Sequence, residues 1–205
     1  MKATGMGSNM QGHTPIFHCV LRNRIFLAQN VPRPVGNYVD FPMDRYLRYE
    51  PVNNDFGPES ISSICRFVEA INNCVESNQD SRIVCTVGQG NDLLTNAILL
   101  LGAYILFRYG MHPSEVWEMF RIDCSVLIER RIVEYRDSSA SAADATLNLL
   151  DCWQALYLAA TLDWIKIPNL YRGPWGLLDI DEYEHYESAL NGDFVQVKQT
   201  IVKTM

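Results

Sequence analysis

The apolar positions of this chain follow two rhythms. Near the start, Ile16-Phe-His-Cys-Val20 and Arg24-Ile-Phe-Leu-Ala28 are short β-branched and aromatic runs. With Arg22-Asn23 as a turn between them, they predict two strands. Pro32, Pro34 and Gly36 mark a loop, and Tyr38-Val-Asp-Phe41 reads as a third short strand. From residue 59 to 75 the rhythm changes: Ile61, Ile64, Cys65, Val68 and Ile71 recur at helical spacing, behind a helix-entry signal in Asp55-Phe-Gly-Pro-Glu-Ser60. Residues 81–87, Ser-Arg-Ile-Val-Cys-Thr-Val, carry the β-branched apolar pattern of a buried central strand. A sharp loop, Gly88-Gln-Gly-Asn91, then leads into a helix that Asp92 caps or leads and Gly110 ends. His112-Pro-Ser-Glu115 opens another helix, with Val116, Met119 and Phe120 on its apolar side. Residues 126–136 read equally as helix or long loop. Residues 140–161 predict a helix whose core positions are Leu147, Leu150, Trp153, Ala155 and Leu158, and 164–178 an irregular connection.

The last patterned stretch is polar. Asp179 to Phe194 holds six acidic residues in sixteen positions: Asp179, Asp181, Glu182, Glu184, Glu187 and Asp193. Asp179 or Asp181 caps a helix start there, and Asn191-Gly192 is a stop. Glu184 and Glu187 lie three apart and share a helix face. Composition alone reads this as a solvated acidic helix. The alternative is an acidic surface that holds a basic partner.

The chain has 205 residues, 48% apolar and 20% charged, which fits one globular domain with or without an appendage. A net charge of −7 speaks against nucleic acid as a partner, because phosphate backbones need a basic face, and it suits a cationic peptide. The longest apolar run, Ala97 to Phe107, has 11 residues, which is short for a bilayer span and fits a buried core helix, so no membrane partner is expected. The six cysteines form no Cys-x-x-Cys pair and the four histidines show no ligand spacing, so neither a metal nor another cofactor is expected. No apolar N-terminal signal region is visible, which points to a reducing intracellular setting.

The strand, glycine loop and helix at 82–109 form the kind of unit where an α/β domain binds an anion. A Walker loop needs a Lys that Gly88-Gln-Gly-Asn91 lacks. A cysteine phosphatase needs a thiolate at the strand end and an Arg six residues later, whose guanidinium and the loop amides hold phosphate while sulfur attacks. Cys85 is the candidate nucleophile by position, but Asn91 stands six residues later and carries no charge. The better reading of Cys85 is a buried structural thiol. His18 and His112 read as structural, and Asp137 as a loop carboxylate paired with Arg136 or capping a helix.

Three blocks carry a family resemblance: Asn54-Asp-Phe-Gly-Pro58; Asn96-Ala-Ile-Leu-Leu-Leu-Gly-Ala-Tyr104 with Met111-His-Pro-Ser-Glu115; and Asp181-Glu-Tyr-Glu-His-Tyr-Glu187 with Asn191-Gly-Asp193. Over roughly residues 14–195 the chain resembles the N-terminal half of the cell division cycle fourteen dual-specificity phosphatases, the proline-directed mitotic-exit enzymes. The resemblance implies an α/β, protein-tyrosine-phosphatase-like domain, a central mixed sheet flanked by helices, with a C-terminal linker helix. It implies the phosphatase-like domain over 14–178 and the acidic linker helix and tail over 179–205, while the Met-, Gly- and polar-rich composition at the start reads as a disordered tail over 1–13. It also implies residence in the nucleus and/or cytoplasm. In that family a second, C-terminal domain carries the His-Cys and Arg signature, and the N-terminal domain helps choose the substrate. No His-Cys-x-x-x-x-x-Arg occurs here. Aligned back from Gly102-Ala-Tyr104, the Cys and Arg places fall on Gly90 and Asn96. Gly88, Gly90, Asn91 and Asn96 are then a degenerate phosphate loop. The family's acidic groove, which favours a basic residue after phosphoserine-proline, carries over to Glu184, Glu187 and Asp193. The chain departs from the family in Leu127-Ile-Glu-Arg-Arg131, where the family is Pro-rich, and in its longer 166–178 connection.

Two classes of function remain open at this point. One is a non-catalytic domain whose acidic edge docks a basic phosphopeptide, a protein substrate, or a phosphatase catalytic domain in cis or trans. The other is an active phosphatase, alone through Cys85 or as part of a longer gene product. A third, plainer expectation is a fragment with apolar surface at Trp175, Phe194 and Val195 where a partner domain would pack.

Overall fold

Strands β1 (Ile16–Leu21) and β2 (Ile25–Gln29) pair antiparallel through a turn in which Asn23 takes φ 57°, a left-handed conformation that Asn tolerates. The computed structural model describes residues 15–31, 36–51, 54–123, 131–138, 146–162, 164–165 and 180–191. The expected tail over 1–13, Asp179, Asp193, and Trp175, Phe194 and Val195 lie outside them. Next to the turn, the Arg24 guanidinium donates to the carbonyls of Val75 (2.5 Å), Asn78 (2.9 Å), Gln79 (2.7 Å) and Ser81. These carbonyls end helix α1 (Ile61–Ser77) and begin the loop after it, so a cation sits at the negative end of that helix and ties it to the hairpin.

Strand β3 (Tyr38–Pro42) and β4 (Arg82–Val87) complete a four-stranded sheet of order β1-β2-β4-β3. β4 runs parallel to both β2 and β3, and the chain crosses from β3 to β4 through α1, as a parallel pair requires. The expected mixed sheet is therefore present. In β4, Ile83, Val84, Cys85 and Val87 are all buried.

Helix α2 (Asn91–Tyr109) is the centre of the molecule, with every residue from Leu94 to Phe107 buried. A helix surrounded on all sides has no polar face, which is why its sequence shows a run rather than a stripe. It is also long and apolar enough to cross a membrane by length and composition, yet it lies inside the core. Gly110 closes it at φ 64°, with its amide on the Leu106 carbonyl at 2.9 Å. Asp92, expected to cap or lead this helix, lies in its first turn; the N-cap position is Gly90. Helix α3 (Pro113–Asp123) opens with His112, whose Nδ1 accepts from the Ser114 amide (3.3 Å), while the Glu115 carboxylate accepts from the His112 amide (2.8 Å).

Residues 135–136 form a short strand, β5 (Tyr135–Arg136), paired antiparallel with β6 (Thr146–Leu147), so the helical reading fails at that end of 126–136. The next helix, α4 (Leu149–Thr161), starts later than 140, at an Asn148 capping box: the Asn148 side chain takes the Leu150 and Asp151 amides, and Asp151 returns to the Asn148 amide at 2.9 Å. Its buried face is Leu149, Trp153, Leu156 and Ala160. Leu147 and Leu158, expected in the core, are exposed by more than half, and Ala155 is exposed as well. The physical reason is Trp153. Its indole lies flat against Gly102 of α2 and donates to the Leu99 carbonyl at 3.0 Å, which sets the rotation of the whole helix.

Candidate functional site

The strand–loop–helix unit lies where the sequence predicts it, and its interior is filled by the chain's own groups. Cys85 is in the middle of β4, paired in register with Leu27 and Phe41, and fully buried. Burial raises its thiol pKa far above the ordinary value, so it is neither accessible nor ionised. This is the packing of a structural thiol.

In the glycine loop the Gly88 amide and the Gly88 and Gly90 carbonyls are engaged by the chain's own groups. An anion cradle converges backbone N–H groups on one point. Here the carbonyls of Gly88 (2.6 Å) and Gly90 (3.0 Å) converge on the side-chain amide of Gln29, a buried residue at the end of β2. The Gly88 amide donates to the carboxylate of Asp44 at 3.2 Å, so a negative charge already stands beside the loop. Gly90 has φ 120°, which only glycine adopts readily, so its role is to make the turn. Asn91 begins α2, and its Oδ1 accepts from Arg131 Nε at 3.0 Å; Arg131 also donates to Gln29 Oε1.

Asn96 has a different job from its loop neighbours. Its Nδ2 donates to the Gly57 carbonyl (3.1 Å) and to Glu59 Oε1 (3.2 Å), and its Oδ1 accepts from the Tyr135 hydroxyl (2.9 Å), all in the interior. Glu59 also accepts the Arg48 (2.9 Å) and Tyr49 (3.3 Å) amides; burial nevertheless raises its pKa above the ordinary carboxylate range. Phe56 bridges to Arg136 through two backbone hydrogen bonds, 3.0 and 2.8 Å. The blocks 54–59, 96 and 135–136 thus join into one structural knot, with Asn96 at its centre.

The acidic stretch forms helix α5 (Ile180–Glu187), followed by a 3-10 turn, Ala189–Asn191. Ile180 packs against the core. Arg66, the one basic residue of α1, reaches across and takes Glu184 with a two-pronged contact, Nε to Oε1 and Nη2 to Oε2, each at 2.7 Å. The same Nη2 donates to Asp181 Oδ1 at 2.8 Å. The Arg66 hydrogen bonds hold the Glu184 carboxyl below its ordinary range, with lesser help from Arg48 and the Ser62 hydroxyl. Glu184, predicted to face a ligand, therefore has its carboxylate oxygens turned onto the body of the domain. Asp181, 89% exposed at its side chain, and Glu182 face outward. Glu187 ends the helix.

Sequence reasoning missed Arg66, Asp44, Gln29 and Arg131. For Arg66 a signal existed: Asp181 and Glu184 are three apart, the spacing that converges two carboxylates on one guanidinium, and α1 offers one cation.

Comparison with known proteins agrees with this architecture. Residues 19–159 match the family model for the N-terminal half of dual specificity protein phosphatases. The chain is similar to the dual specificity protein phosphatase CDC14C of Symphalangus syndactylus, 28% identical over 174 residues, covering 84% of this chain and 33% of the relative. It is also similar to CDC14A of Homo sapiens, 28% identical over 178 residues (85% and 28%), and to the tyrosine-protein phosphatase cdc-14 of Caenorhabditis elegans, 27% identical over 155 residues (72% and 20%). The chain spans about a third or less of the length of these relatives. With the family model matched over well more than half its residues, the chain belongs to the family of dual specificity protein phosphatase N-terminal halves.

Proposed function

We propose that this chain is a non-catalytic, phosphatase-like recognition domain. Its acidic edge takes the basic part of a proline-directed phosphopeptide, in a substrate or a partner protein. The observation that carries this reading is the ordered acidic helix α5, seated on α1 with Asp181 and Glu182 exposed. Carboxylates on a rigid edge attract a Lys or Arg and orient it, with an attraction that salt screens. Glu187 and Asp193 join this edge through the family resemblance. At the loop at 88–91 the Gly88 and Gly90 carbonyls are taken up by Gln29, the Gly88 amide by Asp44, and Asn91 by Arg131, so on this reading the domain reads the cation and leaves the phosphate to another protein surface.

Two assays test the reading on the full chain. Purified protein and its Cys85→Ser variant are given an aryl phosphate; turnover that depends on Cys85 refutes the non-catalytic role. A Ser-Pro peptide followed by Lys or Arg is titrated against the wild-type chain and against Glu182→Lys with Glu187→Lys, which leaves Glu184 on Arg66. Loss of binding in the variant is expected, and unchanged binding removes the acidic edge from the account.

A further inference from the structure

Helix α5 is eight residues long, well under the length at which a helix holds itself together in water. Four of the eight are carboxylates, and Asp181 with Glu184, and Glu184 with Glu187, stand three apart, where like charges repel. Left alone, this sequence unwinds. Among the described residues, Ile180 against the core, the three hydrogen bonds from Arg66 that draw Asp181 and Glu184 together, and Asn191 Nδ2 on the His185 carbonyl (2.8 Å) help to hold it.

We infer that Arg66 is the positioning residue of the acidic edge: its fork pins Glu184 and Asp181, fixes α5 on α1, and so decides which carboxylates a cationic partner meets. The consequence for binding rests on the recognition role proposed above; the anchoring itself does not. Arginine suits the task because its planar fork meets a carboxylate with two parallel N–H groups and still reaches a second acid. Lysine supplies the charge without the fork. The effect of removing Arg66 on binding is opposite in sign to simple electrostatics. Removing Arg66 takes the net charge from −7 to −8, which by charge alone tightens a cationic peptide. If Arg66 positions the helix, its removal weakens the peptide instead.

The test uses the full chain as wild type, Arg66→Ala, Arg66→Lys, and the charge swap Arg66→Glu with Glu184→Arg. Hydrogen exchange of amides 180–187 reads the anchoring without a ligand, and a basic Ser-Pro peptide reads the consequence. In Arg66→Ala, exchange is expected to speed by about tenfold, the factor given by about 1.4 kcal/mol, and peptide affinity to fall in proportion to the lost fraction of seated helix. Arg66→Lys lies between the two, and the swap restores slow exchange. Unchanged exchange in Arg66→Ala overturns the inference, and so does tighter peptide binding with exchange unchanged. Faster exchange together with no peptide binding by the wild type upholds the anchor and refutes the recognition role instead.

Discussion

Replacing Gly102 by alanine puts a methyl group where the indole of Trp153 already lies. A Cβ built on Gly102 would sit 2.1, 2.3 and 2.7 Å from three atoms of that ring, where carbon atoms normally keep about 3.5–4.0 Å. The ring has to retreat by well over an ångström. It has nowhere to go: Trp153 is fully buried, stacked on Phe120 at 5.5 Å and packed on Trp117 at 6.4 Å. Alanine gains about 1 kcal/mol over glycine in a helix interior. Overpacking a filled core costs about 1–3 kcal/mol. Retreat also draws the indole N–H off the Leu99 carbonyl, and a stranded buried donor costs about 1–3 kcal/mol. The balance is a destabilisation of about 3 kcal/mol, against a whole-domain stability of about 5–15 kcal/mol. Urea unfolding followed by tryptophan emission measures it. A double-mutant cycle with Trp153→Phe localises it, because the smaller ring makes room and the two changes couple. Equal or greater stability of Gly102→Ala would refute the claim that Trp153 against Gly102 sets the rotation of α4.

Arg24→Ala removes four contacts to the end of α1 and the loop after it, and thermal unfolding should show a loss of about 2–3 kcal/mol, as for charge-assisted hydrogen bonds. Asn96→Ala strands the Tyr135 hydroxyl and removes a donor from buried Glu59. It should cost about 2–4 kcal/mol, and Asn96→Arg, which forces a guanidinium into this buried place in α2, should destabilise further without generating aryl-phosphate turnover. The acid response follows Glu184, whose folded pKa lies below the ordinary value of 4.5 because Arg66 holds it charged. A depressed carboxylate stabilises above its unfolded pKa and loses that contribution as pH falls through the folded one. Protection of amides 180–187, the intrinsic exchange rate at each pH relative to the observed one, should therefore hold from pH 7 down to the ordinary carboxylate value and fall only below it. Glu59 runs the other way, since its raised pKa gives a contribution present at low pH and lost as pH rises through the folded value.

The sheet and α2 were legible because their signals are local. A strand, two glycines and an unbroken apolar run admit few other structures, and Gly110 closes the helix through backbone geometry alone. The face of α4 was not legible. It carries leucine and alanine on both sides, so periodicity cannot choose between them, and the choice is made by Gly102 about fifty residues earlier in the chain. Its start, however, is written in Asn148-x-x-Asp151, a capping signal that the longer helix reading passed over. The same division holds at the candidate site. That the loop lacks an Arg at either register can be read from consecutive residues. That Asp44, Gln29 and Arg131 occupy its surroundings cannot, because each arrives from a distant segment. The resemblance placed Glu184 in the acidic edge, but which way its carboxylate turns is decided by Arg66, 118 positions away.

The central claim is that the acidic edge recognises a cation on a Ser-Pro peptide. Fluorescence anisotropy of labelled peptides against the unmutated full chain tests it most directly, because only the ligand changes. The series carries Lys, Ala or Glu after the Ser-Pro pair, each with and without phosphate on the serine. The account predicts binding by the Lys peptide, a loss of about tenfold or more with Ala or Glu, weakening as salt rises, and no gain from the phosphate. Equal binding of the Lys and Glu peptides, or affinity that depends on the phosphate and not on the Lys, would contradict it.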